Sequence, residues 1–134
     1  MDKKEILEFI AKNPMASLGT VEDNKARVRG METFRADENG LIFYTSKSKD
    51  IFKQIVNNPE VEACYFAGGD QVRVRGKMEI LEDLDLKKEI AEKRPFLKSI
   101  FDESYEGMGV MRLKGQATTW NMQNMAALKT FTDL

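Results

Sequence analysis

Three extended segments joined by two very short polar turns constrain the fold of this chain more than any other feature. Met15 to Glu22 alternates with a period of two, with Ala16, Leu18 and Thr20 opposite Met15, Ser17, Gly19 and Val21. Glu22-Asp23-Asn24-Lys25 reads as a turn, because Asp and Asn bond their own backbone and tolerate left-handed φ. Ala26 to Ala36 alternates again: Arg27, Arg29, Met31 and Thr33 share one face, and Val28, Gly30, Glu32 and Phe34 the other. Asp37-Glu38-Asn39-Gly40 contains the Asn-Gly pair that favours a tight hairpin, and Leu41 to Thr45 is a short apolar strand. Two consecutive hairpins predict an antiparallel meander.

Beyond Thr45 the period changes. Ile51, Phe52, Ile55 and Val56 form a helical stripe that ends at Asn57-Asn58-Pro59, and Ile6, Leu7, Phe9 and Ile10 form another between Asp2 and Lys12. Val61 to Ala67 and Gln71 to Leu81 read as strands around the turn Gly68-Gly69-Asp70. In the second, Gln71, Arg73 and Arg75 oppose Val72 and Val74. Asp83 to Phe101 is helical in pattern, in two pieces broken at Arg94-Pro95, and its charges from Glu79 to Glu92 read as a wet helix face. A last strand is expected from Gly109 to Trp120. Met122, Met125, Ala126 and Leu128 allow a short helix in the tail. The expected architecture is mainly β (α+β), an antiparallel barrel of about six strands with a few peripheral helices, in a single domain over residues 1–134.

Absences narrow the chemistry. There is no histidine, which removes Ser-His-Asp triads, Cys-His pairs and His-ligated metals, and the single cysteine cannot build a zinc site. Hydride chemistry on a bound cofactor stays open, because the cofactor supplies the reactive atoms. A net charge of −1 gives no drive toward nucleic acid or an anionic membrane. No apolar run approaches the roughly 20 residues that span a bilayer. With one thiol and no signal-type N-terminus, a cytoplasmic location is expected.

One segment invites an anion. In Phe43-Tyr44-Thr45-Ser46-Lys47-Ser48-Lys49-Asp50-Ile51-Phe52 a strand runs through hydroxyls and lysines into a helix. Ser46 or Ser48 could cap that helix. Its first turn would offer unpaired N–H groups and a partial positive charge to a phosphate, with Lys49 able to fold back onto it. By itself this is equally the description of a capped surface helix with solvated lysines.

The order of motifs resembles the pyridoxamine 5′-phosphate oxidase-like family of FMN-binding split barrels. Three blocks carry the resemblance: Arg29-Gly30-Met31-Glu32-Thr33-Phe34, then Phe43 to Lys49 with Asn58-Pro59-Glu60-Val61 after the helix, then Gln71-Val72-Arg73-Val74-Arg75-Gly76. The resemblance implies a six-stranded split barrel in which the strand of Arg29, Gly30, Met31, Glu32 and Thr33 runs beneath the flavin, Arg29 reaching its ribityl-phosphate arm. It implies further that Tyr44 and Thr45 contact FMN, that Ser46, Ser48 and Lys49 hold its phosphate, and that Gln71 approaches the ring from a second subunit of a homodimer. Ser48 stands where the oxidase carries an arginine. The oxidase's substrate-binding arginine and histidine near the C-terminus have no counterpart, so vitamin B6 oxidation is not expected. Nitroimidazole-resistance members use a histidine near the flavin, which this chain lacks.

The expected function is thus an FMN-dependent oxidoreductase passing electrons from a nicotinamide nucleotide to a small organic acceptor. No catalytic side chain is assigned. The alternatives are a storage or sensing flavoprotein without turnover, or the same barrel holding a deazaflavin or haem. Arg27, Arg73 and Arg75 are expected to be solvated beside acidic partners, and Cys64 to be a buried apolar filler. Trp120 could anchor the barrel or pack on the flavin.

Overall fold

The computed structural model describes residues 1–123 and 131–134. Its elements are α1 (Lys3–Lys12), β1 (Met15–Glu22), β2 (Lys25–Asp37), β3 (Gly40–Ser46), α2 (Asp50–Asn57), β4 (Glu60–Ala67), β5 (Asp70–Leu81), α3 (Leu84–Lys93), a 3-10 segment (Pro95–Ser99), β6 (Met108–Leu113), β7 (Gln116–Asn121) and β8 (Thr132–Asp133). The order β4-β1-β2-β3-β6-β5 closes on itself through the β4–β5 pairing, which makes a six-stranded antiparallel barrel. β7 and β8 extend the sheet beyond β5.

The meander forms as the alternation requires. β1 pairs β2 from Met15↔Glu32 to Glu22↔Lys25, and the turn puts Asp23 and Asn24 at φ of 50° and 61°. In the second hairpin the positive φ falls only on Gly40, at 106°, so Asn39-Gly40 is not the central pair of a two-residue turn. A side chain at Gly40 would also press on Arg112 and the Leu113 carbonyl.

Period-two burial fills the barrel with Ala16, Leu18, Leu41, Phe43, Ala63, Tyr65, Val72, Val74, Met111 and Leu113. Helices α1 and α2 add Ile6, Ile10, Ile51 and Ile55. Asp2 and Glu5 close a reciprocal capping box on α1. A second apolar cluster lies outside the barrel, where Ile90, Ala91 and Leu97 cover Ile42, Met108 and Val110. This is why β3 is buried on both faces.

Three expectations change. The long last strand is two strands kinked at Lys114-Gly115: β6 pairs Met78–Leu81 of β5, and β7 pairs Asp70–Arg75 of it. The cause is close packing, since a Cβ on Gly115 would overlap the Arg75 carbonyl, and one on Gly76 would lie 3.1 Å from Gly115 Cα. The charges from Glu79 to Glu92 are not one wet helix face: Glu79 is in β5 on Arg112, and Lys87 of α3 is buried on Glu82. Cys64 is half-buried on the outer sheet face opposite Ser17 and Arg73, and burial raises its thiol pKa. In the tail Met122 sits in a turn; the expected helix over Met125, Ala126 and Leu128 lies outside the described residues. No described helix is long and apolar enough to cross a membrane.

Gly115→Ala is expected to destabilise the fold by about 2 kcal/mol or more, because a backbone atom cannot give way as a side chain can. Urea unfolding of the variant beside the parent measures this.

Candidate functional site

β2 changes partners at Thr33. From Thr33 to Asp37 it pairs with β3, with a register shift between Thr33 and Arg35. From Lys25 to Glu32 it pairs with β1, and no described strand lies on its other side. β3 meanwhile continues along β6 through Tyr44↔Val110 to Ser46↔Met108. The two strands thus diverge and leave a cleft between them, open toward the loop Ser46–Lys49.

Thr33 pins the divergence. Its N–H donates to the Pro14 carbonyl at 2.8 Å, and its Oγ1 bonds the Tyr65 hydroxyl at 2.5 Å inside the barrel. Burial drives the Tyr65 pKa far upward, so it stays a neutral phenol. Backbone groups alternate sides along a strand. With Thr33 facing β1, Met31 and Arg29 face β1 as well, and the amides of Glu32, Gly30 and Val28 face the cleft. The amide nearest the cleft's closed end is therefore that of Glu32, with Met31 and Thr33 turned away. Gly30 is exposed, and a Cβ there would approach nothing closer than a methionine methyl at 4.0 Å, so a flat group has room to lie against the strand.

Arg29 lies on the inner face opposite Leu18. It donates to the Leu18 carbonyl (3.2 Å), to Thr20 Oγ1 (2.8 Å) and to Gln54 Oε1 (2.5 Å). Thr20 also donates to Gln54 at 2.6 Å, and Gln54 donates to Glu22 at 3.2 Å. Burial lowers the Arg29 pKa and the Glu22 carboxylate opposes it. This network holds α2 against β1 and β2, so the basic group on β2 and the helix that starts at Asp50 move as one. Thr20 and Gln54 escaped the sequence reading. Only the polar position Gln54 beside the apolar Ile51 and Ile55 of α2 hinted at a buried amide.

At the mouth of the cleft the capping expectation is corrected. The N-cap of α2 is Lys49, and no side chain caps it. Ser46 and Ser48 bond each other at 2.8 Å, the Ser48 N–H donates to Ser46 Oγ at 3.3 Å, and the Lys49 N–H to the Ser46 carbonyl at 3.0 Å. The helix start and the exposed Lys49 are left toward solvent, while Lys47 is drawn off to Glu82 at 2.7 Å. Thr45 is buried beside Gly109 of β6, over which the Phe52 ring packs; a Cβ at Gly109 would stand 2.6 Å from that ring. That contact seats the start of α2.

On the outer face, Tyr44 and Phe34 meet edge to face at 6.3 Å. Arg94 bonds Glu32 through Nε at 2.8 Å and lies 5.4 Å from the Phe34 ring centre. The Tyr44 pKa rises, chiefly from burial and then from the Glu32 carboxylate, while Arg94 opposes. Arg94 was missed as a site residue because its position before Pro95 marks it only as a helix end.

The structure brings Glu32, Tyr44, Thr45, Ser46, Ser48 and Lys49 around one cleft, with Gly30 on its wall and Arg29 and Met31 on the inner side of that wall. It does not bring Gln71 there. Gln71 faces outward on β5, opposite Phe66 and Trp120, three strand spacings from β2 or ~14 Å. Arg29 points inward, whereas Arg73 pairs outward with the acidic partner Glu62, and Arg75 lies over Phe131. Arg27 pairs with Glu22 at 3.4 Å. No group of metal ligands forms among the described residues.

The family model for pyridoxamine 5′-phosphate oxidase matches residues 2–122. The chain belongs to this family. Among solved structures it is similar to a NimC/NimA family protein from Clostridium acetobutylicum, at 27% identity over 90% of this chain and 88% of that one, with a TM-score of 0.77. General stress protein 26 from Bacillus anthracis is 20% identical over 98% of both chains, TM-score 0.77. The haem storage protein HutZ from Vibrio cholerae is 15% identical over 90% of this chain and 95% of that one, TM-score 0.65. No curated protein sequence matches the chain.

Gln54→Leu is expected to destabilise the protein by about 2 kcal/mol, because it removes the acceptor shared by the buried Thr20 hydroxyl and one nitrogen of the half-buried Arg29 guanidinium. Thermal unfolding of Gln54→Leu beside Thr20→Val tests this, with the smaller loss expected for Thr20→Val.

Proposed function

We propose that the chain is an FMN-binding oxidoreductase whose cofactor lies in the cleft between β2 and β3. The observation that carries this reading is the open β2 edge, with its cleft-facing amides, running toward an uncapped helix start beside an exposed lysine. The residues suit the group. Ser46, Ser48, Lys49 and the first amides of α2 would hold the phosphate, and Arg29, fixed to that helix through Gln54, would add a positive charge behind it. Gly30 would admit the flat ring to the strand, and the Glu32 amide would offer it a hydrogen bond. Tyr44 and Thr45 close the other side.

When bound, FMN supplies the hydride and electron transfer. The chain's own part is to position the ring, to offer backbone donors where negative charge grows, and to keep water from one face. With no histidine, no side chain is assigned a proton-transfer role. A nicotinamide nucleotide as donor and a small organic acceptor complete the proposal.

Two copies are part of it. No described helix covers the outer face of β2, β1, β4 and β5, which carries exposed Met15, Val28 and Phe66 at 62%, 69% and 53% exposure. Apolar side chains in that number on one flat sheet face fit an interface between copies. Pairing of that face would carry Gln71 of one copy toward the cleft of the other, which no single copy achieves. HutZ, a haem storage protein by name, shares the fold, and haem is therefore an outcome to test. In this chain a haem ligand would have to be Tyr, Met or Cys.

The absorption spectrum of the purified protein is expected to show oxidised flavin bands, with FMN released on heating; a haem Soret band in their place would overturn the reading. Lys49→Ala is expected to weaken FMN binding about tenfold, and Ser48→Arg to strengthen it, both read by quenching of flavin fluorescence. Phe66→Glu is expected to shift the species seen in sedimentation velocity from dimer to monomer.

A further inference from the structure

Glu32 poses a problem for any redox group on β2. Its amide faces the cleft, and its side chain stands on the same stretch of strand, so a carboxylate lies within one residue of the point where a bound flavin would gain negative charge. Left alone, it would oppose reduction.

Arg94 answers it. This residue is the C-cap of α3, its N–H bonded to the Ile90 carbonyl at 2.9 Å, and Pro95 forbids the helix to continue. A cation is favoured at a helix C-terminus, and here the backbone is fixed from both sides. The guanidinium grips Glu32 through Nε and a second nitrogen and rests on the Phe34 ring. Both side chains are about two-thirds buried, which strengthens the pair over a surface one. The neighbouring cations are engaged elsewhere, since Arg35 and Lys93 both pair with Glu89. Among the described residues Arg94 is the only ion partner of Glu32.

We infer that Arg94 is a positioning residue that tunes the reduction potential of the cofactor, by neutralising Glu32 and turning its carboxylate from the cleft toward α3. The inference rests on the FMN reading. It assigns a function to the first residue of the Arg94-Pro95 break, which otherwise only ends a helix.

The test compares the parent with Arg94→Met, Glu32→Gln and the double variant, each loaded with FMN. Potentials are measured by spectroelectrochemistry, and affinity for oxidised FMN by fluorescence. Arg94→Met should make the potential more negative, lowering the affinity for reduced relative to oxidised FMN on the order of tenfold. Glu32→Gln should move it the other way, and the double variant should return it close to the parent. Should Arg94→Met not fold, Glu32→Gln still reads the same interaction. A potential indifferent to Glu32→Gln, or a double variant that fails to return, overturns the inference while FMN binding stands. A parent that holds no FMN overturns the cofactor reading itself.

Discussion

Everything at the cleft depends on β2 leaving β3 at Thr33. A closed barrel pairs each of its backbone groups with a neighbour and offers a ligand only side chains. Here Thr33 is bound to Pro14 and Tyr65, and the register shifts between it and Arg35, so the first half of β2 keeps one partner strand instead of two. The amides released from pairing form a row of fixed donors, and such groups need no reorganisation when charge develops beside them. Tyr65 matters because it is fully buried and its hydroxyl is satisfied by Thr33, which ties the divergence point to the centre of the core.

Charge is distributed along the cleft in a definite way. Arg29 is held from behind by Thr20 and Gln54, Lys49 is exposed at the mouth, and Lys47 is taken by Glu82. Of Arg29, Lys47 and Lys49, one is thus drawn away from the loop Ser46–Lys49. In the proposed reading, Ser48 where the oxidase carries an arginine would leave the same end lightly charged, and the backbone amides of α2 would do more of the binding. At the other end Arg94 cancels Glu32.

Much of the fold was legible in the sequence, because period two and turn chemistry are local signals. Both hairpins, the helix over Asp50–Asn57 and the break at Arg94-Pro95 follow from neighbouring residues alone. The kink at Gly115 was not legible, since it depends on how close Arg75 and Gly76 of β5 come to it. The inward turn of Arg29 was half visible: alternation put it with Thr33, but only the buried core shows which face is inside. Arg27 and Arg73 stand beside acidic partners as expected, whereas the seat of Arg75 over Phe131 depends on a residue 56 positions away and was not legible. Gln54 and Arg94 were not legible as site residues, as each acts through a partner at least 25 positions away.

Recognition of a flavin mononucleotide by its phosphate, through the loop Ser46–Lys49 with Arg29 behind it, is what the proposed function stands on. The affinity of the apoprotein for FMN, set beside that for riboflavin, isolates this contact, because riboflavin has the same ring and ribityl chain without the phosphate. FMN is expected to bind tighter by on the order of a hundredfold, with the gap shrinking as salt rises. Equal affinities for the two would contradict phosphate recognition at this loop.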